Sequence, residues 1–112
     1  MRLKSGIWVS AFLRRWQAQG NFGAVIRKGA AEAGAIYVIV NHLDGTFHFF
    51  GPAPGPAYDE KGERRWFEEI AFPASQEAIG RILARRAAAD PDIWIVEIED
   101  RAGTAGIAPV RD

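Results

Sequence analysis

The chain has 112 residues, 48% of them hydrophobic and 25% charged, which is typical of one compact globular domain spanning residues 1–112. Its 14 basic and 14 acidic residues cancel, and no RNA-recognition or zinc-finger pattern is present, so the sequence argues against nucleic-acid binding. The absence of cysteine excludes disulfides, thiol catalysis and cysteine metal sites, and it agrees with a cytoplasmic location. We expect no membrane partner, because no segment reaches membrane-spanning length.

The first predicted element is an amphipathic helix at residues 6–19. At 100° per residue, one stripe of this helix collects the large apolar side chains Trp8, Val9, Phe12, Leu13 and Trp16. Ser5 is the expected N-cap, and Gly20 is the expected left-handed residue that ends the helix.

Four strand-like runs follow, at residues 22–28, 35–43, 46–50 and 64–72. Asp44-Gly45 predicts a two-residue type I′ turn between the second and third runs, since such a turn needs positive φ at both central positions. The fourth run is compatible with a short helix, although its composition favours a strand.

A second helix is expected at 75–89, with Ser75 as its cap, followed by a strand at 93–99. The sequence "DRAG" then predicts a loop with Gly103 in the left-handed position and a returning strand at 104–108. The predicted order is α-β-β-β-β-α-β-β. This order indicates an α+β fold with a mostly antiparallel sheet of five to six strands and two helices.

His42, Asp44 and His48 are metal-ligand residue types close together in the sequence. With a two-residue turn, His42 pairs with Phe47, and His48 then points to the opposite face of the sheet. The sequence therefore predicts no metal site and no cofactor.

Both faces of this hairpin are apolar, so both need a cover. Each face can receive one helix. Alternatively, both helices cover one face and a second copy of the chain covers the other, which predicts a homodimer through a sheet face.

No pattern identifies a catalytic residue. The serines form no nucleophile elbow, the glycines form no phosphate-binding loop, and "GPAPGPA" lacks the amide groups that would hold a phosphate. Arg86 lies within the apolar arc of the second helix, where it either extends to solvent or meets a carboxylate such as Glu97 or Glu99.

The segment "GPAPGPAYDEKGERRW" (51–66) is a long connection that three prolines stiffen. It is a lid, a docking strip or a plain connector, and the sequence leaves these alternatives open. The candidate binding residues are Tyr58, Arg64, Arg65 and Trp66 of this segment, together with His48.

The words "RLKSGIWVSAFLRR", "DGTFHFFGPAP", "ERRW" and "DPDIWIVEIEDRAG" occur in this order along nearly the whole chain. In these words the chain resembles a family of small alphaproteobacterial proteins known only as a domain of unknown function. The resemblance implies a compact α+β domain of the bacterial cytoplasm. It implies no activity, cofactor or catalytic residue.

Two functions follow from these observations. The first is a non-enzymatic domain that binds an unknown protein partner or a small ligand through residues 51–66. The alternative is an enzyme or enzyme subunit acting on a small anionic metabolite, with Arg65 as the anion clamp and His48 or a glutamate as the base. The alternative requires a buried cleft where His48 or Glu68 meets Arg65.

Overall fold

The computed structural model describes residues 3–110, so the first and last two residues of the predicted 1–112 domain lie outside the described residues. Its elements are α1 (Ser5–Ala18), β1 (Gly23–Arg27), β2 (Ile36–Asn41), β3 (Phe47–Pro52), β4 (Trp66–Glu68), α2 (Gln76–Ala89) and β5 (Trp94–Glu99). The α+β class with two helices is confirmed. The predicted strand at 64–72 is much shorter than expected, because only its residues 66–68 pair in the sheet.

The five strands form one sheet in the order β1-β5-β2-β3-β4. β2 and β5 are parallel, whereas the other three neighbouring pairs are antiparallel, so the sheet is mixed. α2 connects β4 to β5 and returns the chain alongside β2. The continuous apolar run of β2 is buried along residues 36–40, as expected for a strand that is covered on both faces.

The predicted last strand at 104–108 is wrong. Ala105 and Gly106 have φ angles of 52° and 83°, and the segment forms a turn. The carboxylate of Asp100 accepts hydrogen bonds from the backbone N–H groups of residues 102, 103 and 105. These side-chain hydrogen bonds organise the loop and take the place of pairing with a neighbouring strand. Gly103 is not the left-handed residue of this loop.

The helix ends agree with the sequence in two of three places. Gly20 has the left-handed φ of 84° that ends α1, and the Oγ of Ser75 accepts a hydrogen bond from the N–H of Ala78 at the start of α2. Ser5 is not the N-cap of α1. Its hydroxyl is buried and donates instead to the carbonyl of Gly34, at 2.6 Å.

The hairpin between β2 and β3 has a register one residue away from the predicted one. Val40 pairs with His48, and the N–H of His42 donates to the carbonyl of Thr46. The turn therefore contains the three residues 43–45. Because side chains alternate along a strand, this slip places His42 and His48 on the same face, and their predicted separation is wrong.

Local side-chain hydrogen bonds explain the longer turn. Asn41 Oδ1 accepts from the N–H of Leu43, and Asp44 Oδ1 accepts from both the N–H and the hydroxyl of Thr46. Leu43 adopts a positive φ of 63° beside Asn41. These hydrogen bonds between side chain and backbone favour the three-residue turn over the two-residue turn that Asp-Gly alone would favour.

Each face of the sheet is covered by one helix. The α1 side includes the buried side chains Val9, Phe12, Leu13, Val38, Phe50, Trp66, Val96 and Ile98. The α2 side includes Tyr37, Ile39, Phe49, Ala74, Ile79, Ile93 and Ile95. Of the two arrangements that the sequence left open, the structure has one helix on each face.

Candidate functional site

An open groove lies between α1, residues 58–64 and residues 105–108, with a volume of about 490 Å³. Its floor is aromatic. Trp8 stacks on Phe12 with ring centroids 4.8 Å apart, and Trp8 also packs at a tilt against Trp66 at 5.3 Å. Trp8 and Phe12 are one helical turn apart, so α1 presents both rings to the same side.

Residues 58–64 form a small hairpin on one side of this groove. Tyr58 and Arg64 form an antiparallel bridge, and Asp59 Oδ1 accepts hydrogen bonds from the N–H groups of Lys61 and Glu63 at the turn. Gly62 supplies the positive φ of 80° that the turn requires.

Arg65 braces the proline-rich part of the same segment. Its guanidinium donates to the carbonyls of Pro54 and Pro56, and its backbone pairs with Ala53 and Ala57. The segment 51–66 is thus held to itself, and its second half, from Tyr58 to Trp66, forms one wall of the groove.

Arg64 lies at the edge of the groove, half-buried between two aromatic rings. Its guanidinium carbon is 5.8 Å from the Trp8 ring centroid and 5.5 Å from that of Tyr58. Nη2 makes long hydrogen bonds to the carbonyl of Leu3 (3.2 Å) and the hydroxyl of Ser5 (3.4 Å), whereas the buried Nε has no partner. Burial lowers the pKa of Arg64, and Tyr58 opposes this effect.

No carboxylate pairs with Arg64 among residues 3–110. The ion pairs in this part of the chain are Lys4–Glu32 and Arg86–Glu69, and Glu68 lies 3.6 Å from the ring of His48, which is charged only when protonated. A guanidinium that is partly removed from water normally has an acidic partner, because desolvation of an unpaired charge is unfavourable. Among the described residues, the Arg64 guanidinium therefore meets a carbonyl, a hydroxyl and two aromatic rings but no carboxylate.

A second cavity, of about 390 Å³, continues the groove along α1. The two cavities share Phe12, Arg15, Ala105 and Gly106, and the exposed Arg15 lies where they meet. The turn that Asp100 organises forms the opposite wall. Arg15 has no ion pair among the described residues, so a second cation faces the groove.

His48 lies outside the groove, in a chain of polar contacts at the end of the sheet where β2, β4 and β5 finish and β3 begins. His42 Nδ1 is 2.6 Å from the carbonyl oxygen of Asp100, and His42 Nε2 is 2.7 Å from His48 Nδ1. The other nitrogen of His48, Nε2, is 3.6 Å from Glu68 Oε2. Burial lowers the pKa of His48, while Glu68 raises it and His42 lowers it further.

The structure brings together Tyr58, Arg64 and Trp66 of the five predicted binding residues, and it separates Arg65 and His48 from them. Sequence reasoning missed Trp8 and Phe12 as groove residues, because they belong to the apolar stripe that predicts a core. The signal that could have identified them is Arg15, which lies on the same flank of α1 as both rings.

Arg86 meets a carboxylate, as one of its two predicted arrangements required, but the partner is Glu69 rather than Glu97 or Glu99. Its Nη2 is 3.0 Å from Glu69 Oε1. The carboxylate is buried, and this contact raises the pKa of Arg86. This charge is satisfied within the fold.

Within residues 3–110, no three side chains of the usual ligand types converge in a way that would hold a metal ion. No helix in the same range has the length and apolar character needed to cross a membrane.

The architecture defines an α+β domain with a mixed five-stranded sheet, a helix on each face and a groove beside α1. The chain belongs to the family described as "Protein of unknown function (DUF1491)", whose model matches residues 3–108. The family resemblance recognised in the sequence is confirmed, and the family description names no function.

Solved structures agree with this assignment. The chain is 44% identical to protein Atu0922 from A. tumefaciens, known from a solution structure, with 94% of this chain and 92% of that chain covered and a TM-score of 0.78. It is 38% identical to a DUF1491 family protein from Caulobacter crescentus, whose crystal structure gives a TM-score of 0.79 with both chains fully covered. No curated protein matches the chain.

Proposed function

We propose that the chain is a non-enzymatic binding domain whose site is the groove beside α1. In this proposal, Arg64 pairs with an anionic group, a carboxylate or a phosphate, that belongs to a ligand with an apolar body. The observation that carries the proposal is the half-buried Arg64 guanidinium, which has no acidic partner among residues 3–110.

The energetic argument concerns the cost that Arg64 bears without a ligand. Its partial desolvation lowers its pKa, and it is offset by two long hydrogen bonds and by cation–π contacts with Trp8 and Tyr58, each of which contributes about 0.5–2 kcal/mol. A bound anion would supply charge-assisted hydrogen bonds, which are roughly twice as strong as neutral ones. Binding an anion should therefore release more free energy at Arg64 than at a fully hydrated arginine.

The surroundings of Arg64 support an apolar body next to the anionic group. The rings of Trp8, Phe12 and Trp66 form the floor, and Arg15 offers a second positive charge further along α1. Asp59 and Glu63 also line the groove, so they would disfavour an anion near the hairpin turn and direct it toward Arg64 and Arg15.

The experiment is a ¹H–¹⁵N NMR titration of the full chain with benzoate and with phenyl phosphate, which join an anionic group to an apolar ring. We expect saturable shifts of the Trp8 and Trp66 indole N–H signals. The indole of Trp94 is the internal control, because it donates to the carbonyl of Ala30 away from the groove and should not respond. Shifts spread over the whole chain, or none at all, would overturn the proposal.

Matched variants assign the anion to its cation. Arg64→Gln should weaken probe binding about tenfold or more, since a hydrogen bond between charged groups contributes about 1.5–3 kcal/mol. Arg64→Lys keeps the positive charge but lacks the planar guanidinium, and its affinity for the probe should lie between those of the native chain and Arg64→Gln. Arg14→Gln removes an exposed arginine of α1 that does not line the groove, and it should bind like the native chain. Equal affinity in Arg64→Gln and Arg14→Gln would contradict the assignment.

The enzyme alternative has less support. It needs Arg65 as an anion clamp next to His48 or Glu68, and the Arg65 guanidinium instead binds the carbonyls of Pro54 and Pro56. His48 and Glu68 do face each other, but the groove that Arg15 and Arg64 line lies elsewhere.

A homodimer through a sheet face also has less support, because each face carries a helix. The edge strand β1 is the better candidate for self-association, since its residues Val25 and Ile26 and the preceding Phe22 are exposed. Sedimentation at two protein concentrations tests this prediction, and a concentration-independent monomer would contradict it. We place the domain in the bacterial cytoplasm, which the lack of cysteine supports.

A further inference from the structure

The hydrogen bonds around His42 and His48 determine which ring nitrogens carry protons. The carbonyl of Asp100 can only accept, so His42 Nδ1 carries a proton and donates it. In the neutral ring, His42 Nε2 is then an acceptor, and it receives the proton of His48 Nδ1. A neutral His48 therefore has an unprotonated Nε2.

This unprotonated nitrogen faces a carboxylate. When His48 is neutral, its Nε2 and Glu68 Oε2 are both acceptors 3.6 Å apart, and they repel each other unless a proton or a metal cation lies between them. A separation of 3.6 Å is too long for an N–H···O hydrogen bond. Zinc lies about 2.0–2.1 Å from imidazole nitrogen and about 2.0–2.2 Å from carboxylate oxygen, which places two ligand atoms of one tetrahedral ion roughly 3.4 Å apart.

We propose that His48 Nε2 and the Glu68 carboxylate bind a divalent transition-metal ion of the zinc class, with His42 as the residue that orients His48. The ion would have two protein ligands, and water would complete its coordination. This site lies apart from the groove, and it does not depend on the proposed function.

The surroundings of His48 resemble the support that metal-binding histidines usually have. Such a ring donates its second N–H to an acceptor that fixes its tautomer and orientation, and here His42 is that acceptor. The His48 ring is also stacked between Phe72, at 4.1 Å, and Phe50, at 5.6 Å. These contacts hold the ring and leave only Nε2 for a ligand.

Access and competing charges are compatible with the site. The side chains of His48 and Glu68 are 21% and 31% exposed, so an ion can reach them from solvent. The carboxylate of Asp44 belongs to the β2–β3 turn, where its Oδ1 accepts two hydrogen bonds from Thr46.

The experiment is a titration of the tag-free, chelator-treated full chain at neutral pH with Zn²⁺, followed by calorimetry and by ¹⁵N NMR of the histidine rings. We expect one Zn²⁺ per chain and a metal-induced shift of His48 Nε2, with His42 Nδ1 remaining protonated. A protonated His48 Nε2 that does not respond to Zn²⁺ would overturn the proposal without any variant.

Variants separate the ligands from their support. His48→Gln and Glu68→Gln should each abolish the one-site binding, whereas His42→Gln should weaken it about 10- to 100-fold, as is typical when such an orienting partner is lost. Asp44→Asn is the matched control and should bind like the native chain. Binding that survives both His48→Gln and Glu68→Gln, or that is lost in Asp44→Asn, would contradict the site.

Discussion

Arg86 and Arg64 belong to opposite sides of the same sheet, and their surroundings differ. Arg86 extends from α2 to the buried carboxylate of Glu69, with 3.0 Å between Nη2 and Oε1. Arg64 lies beside α1 between the rings of Trp8 and Tyr58, and no carboxylate reaches it among residues 3–110. One guanidinium has its anion inside the fold, whereas the other has none there.

This difference assigns different roles to the two sides of the sheet. A cation that pairs with a buried carboxylate supports the fold, because its removal leaves that carboxylate without a partner. A cation that is partly desolvated and unpaired contributes little to stability and is available to a ligand. The α2 side should therefore respond to charge removal by losing stability, and the α1 side by losing binding.

The largest effect should come from the groove floor, which is also core. Trp66→Ala should lower the free energy of unfolding by about 3–5 kcal/mol, as large aromatic truncations in cores do. Urea denaturation measures this loss. Phe49→Ala on the α2 side should have a similar cost, and a loss below about 1 kcal/mol for Trp66→Ala would show that the floor is not part of the core.

Next in size is the charge pair of the α2 side. Arg86→Gln should destabilise the chain by about 1 kcal/mol, since it leaves Glu69 buried while solvent screens the half-exposed Arg86 side chain. The neighbouring Arg85 is exposed, and Arg85→Gln should change stability by less than about 0.5 kcal/mol. Equal urea midpoints for Arg86→Gln and Arg85→Gln would contradict the stabilising role assigned to the Arg86–Glu69 pair.

The histidine pair should make stability depend on pH. In the folded chain the pKa of His48 is below its ordinary value of 6.5. As the pH falls below 6.5, the unfolded chain therefore binds more protons than the folded chain does. In chelator-containing buffer, the free energy of unfolding should fall as the pH drops from 6.5 through the folded pKa of His48. Glu68 and His42 are the titratable groups that act on the ring, and Glu68 limits the fall.

His48→Gln is the control for this dependence. The variant should show a smaller loss of stability across the same pH interval. An unchanged slope would assign the pH dependence to other groups.

The sequence predicted the elements better than their arrangement. Strand β5 was predicted at 93–99 and extends over Trp94–Glu99, because its β-branched and aromatic residues form a strong local signal. The parallel β2–β5 pair depends on where α2 returns the chain, which local patterns do not contain. The hairpin register depends on the side-chain hydrogen bonds of Asn41 and Asp44. A prediction from Asp44-Gly45 alone shifts the register by one residue and wrongly separates His48 from His42.

The candidate site was predictable in part for a similar reason. Tyr58, Arg64 and Trp66 lie close together in the sequence, so a segment-based prediction could propose them as a group, and their role in binding stays a prediction. The other side of the groove comes from α1, about 50 residues earlier, where Trp8 and Phe12 look like core residues. Only the folded chain shows that Arg15 and Arg64 face the same groove.

The smallest expected effect on stability belongs to Arg64, and it provides the most direct test of the contrast. Urea denaturation and benzoate titration should be measured together on the native chain and on Arg64→Gln. We predict a free energy of unfolding within about 0.5 kcal/mol of the native value, together with at least about tenfold weaker benzoate binding. A clear loss of stability with unchanged benzoate binding would show instead that Arg64 supports the fold, as Arg86 does.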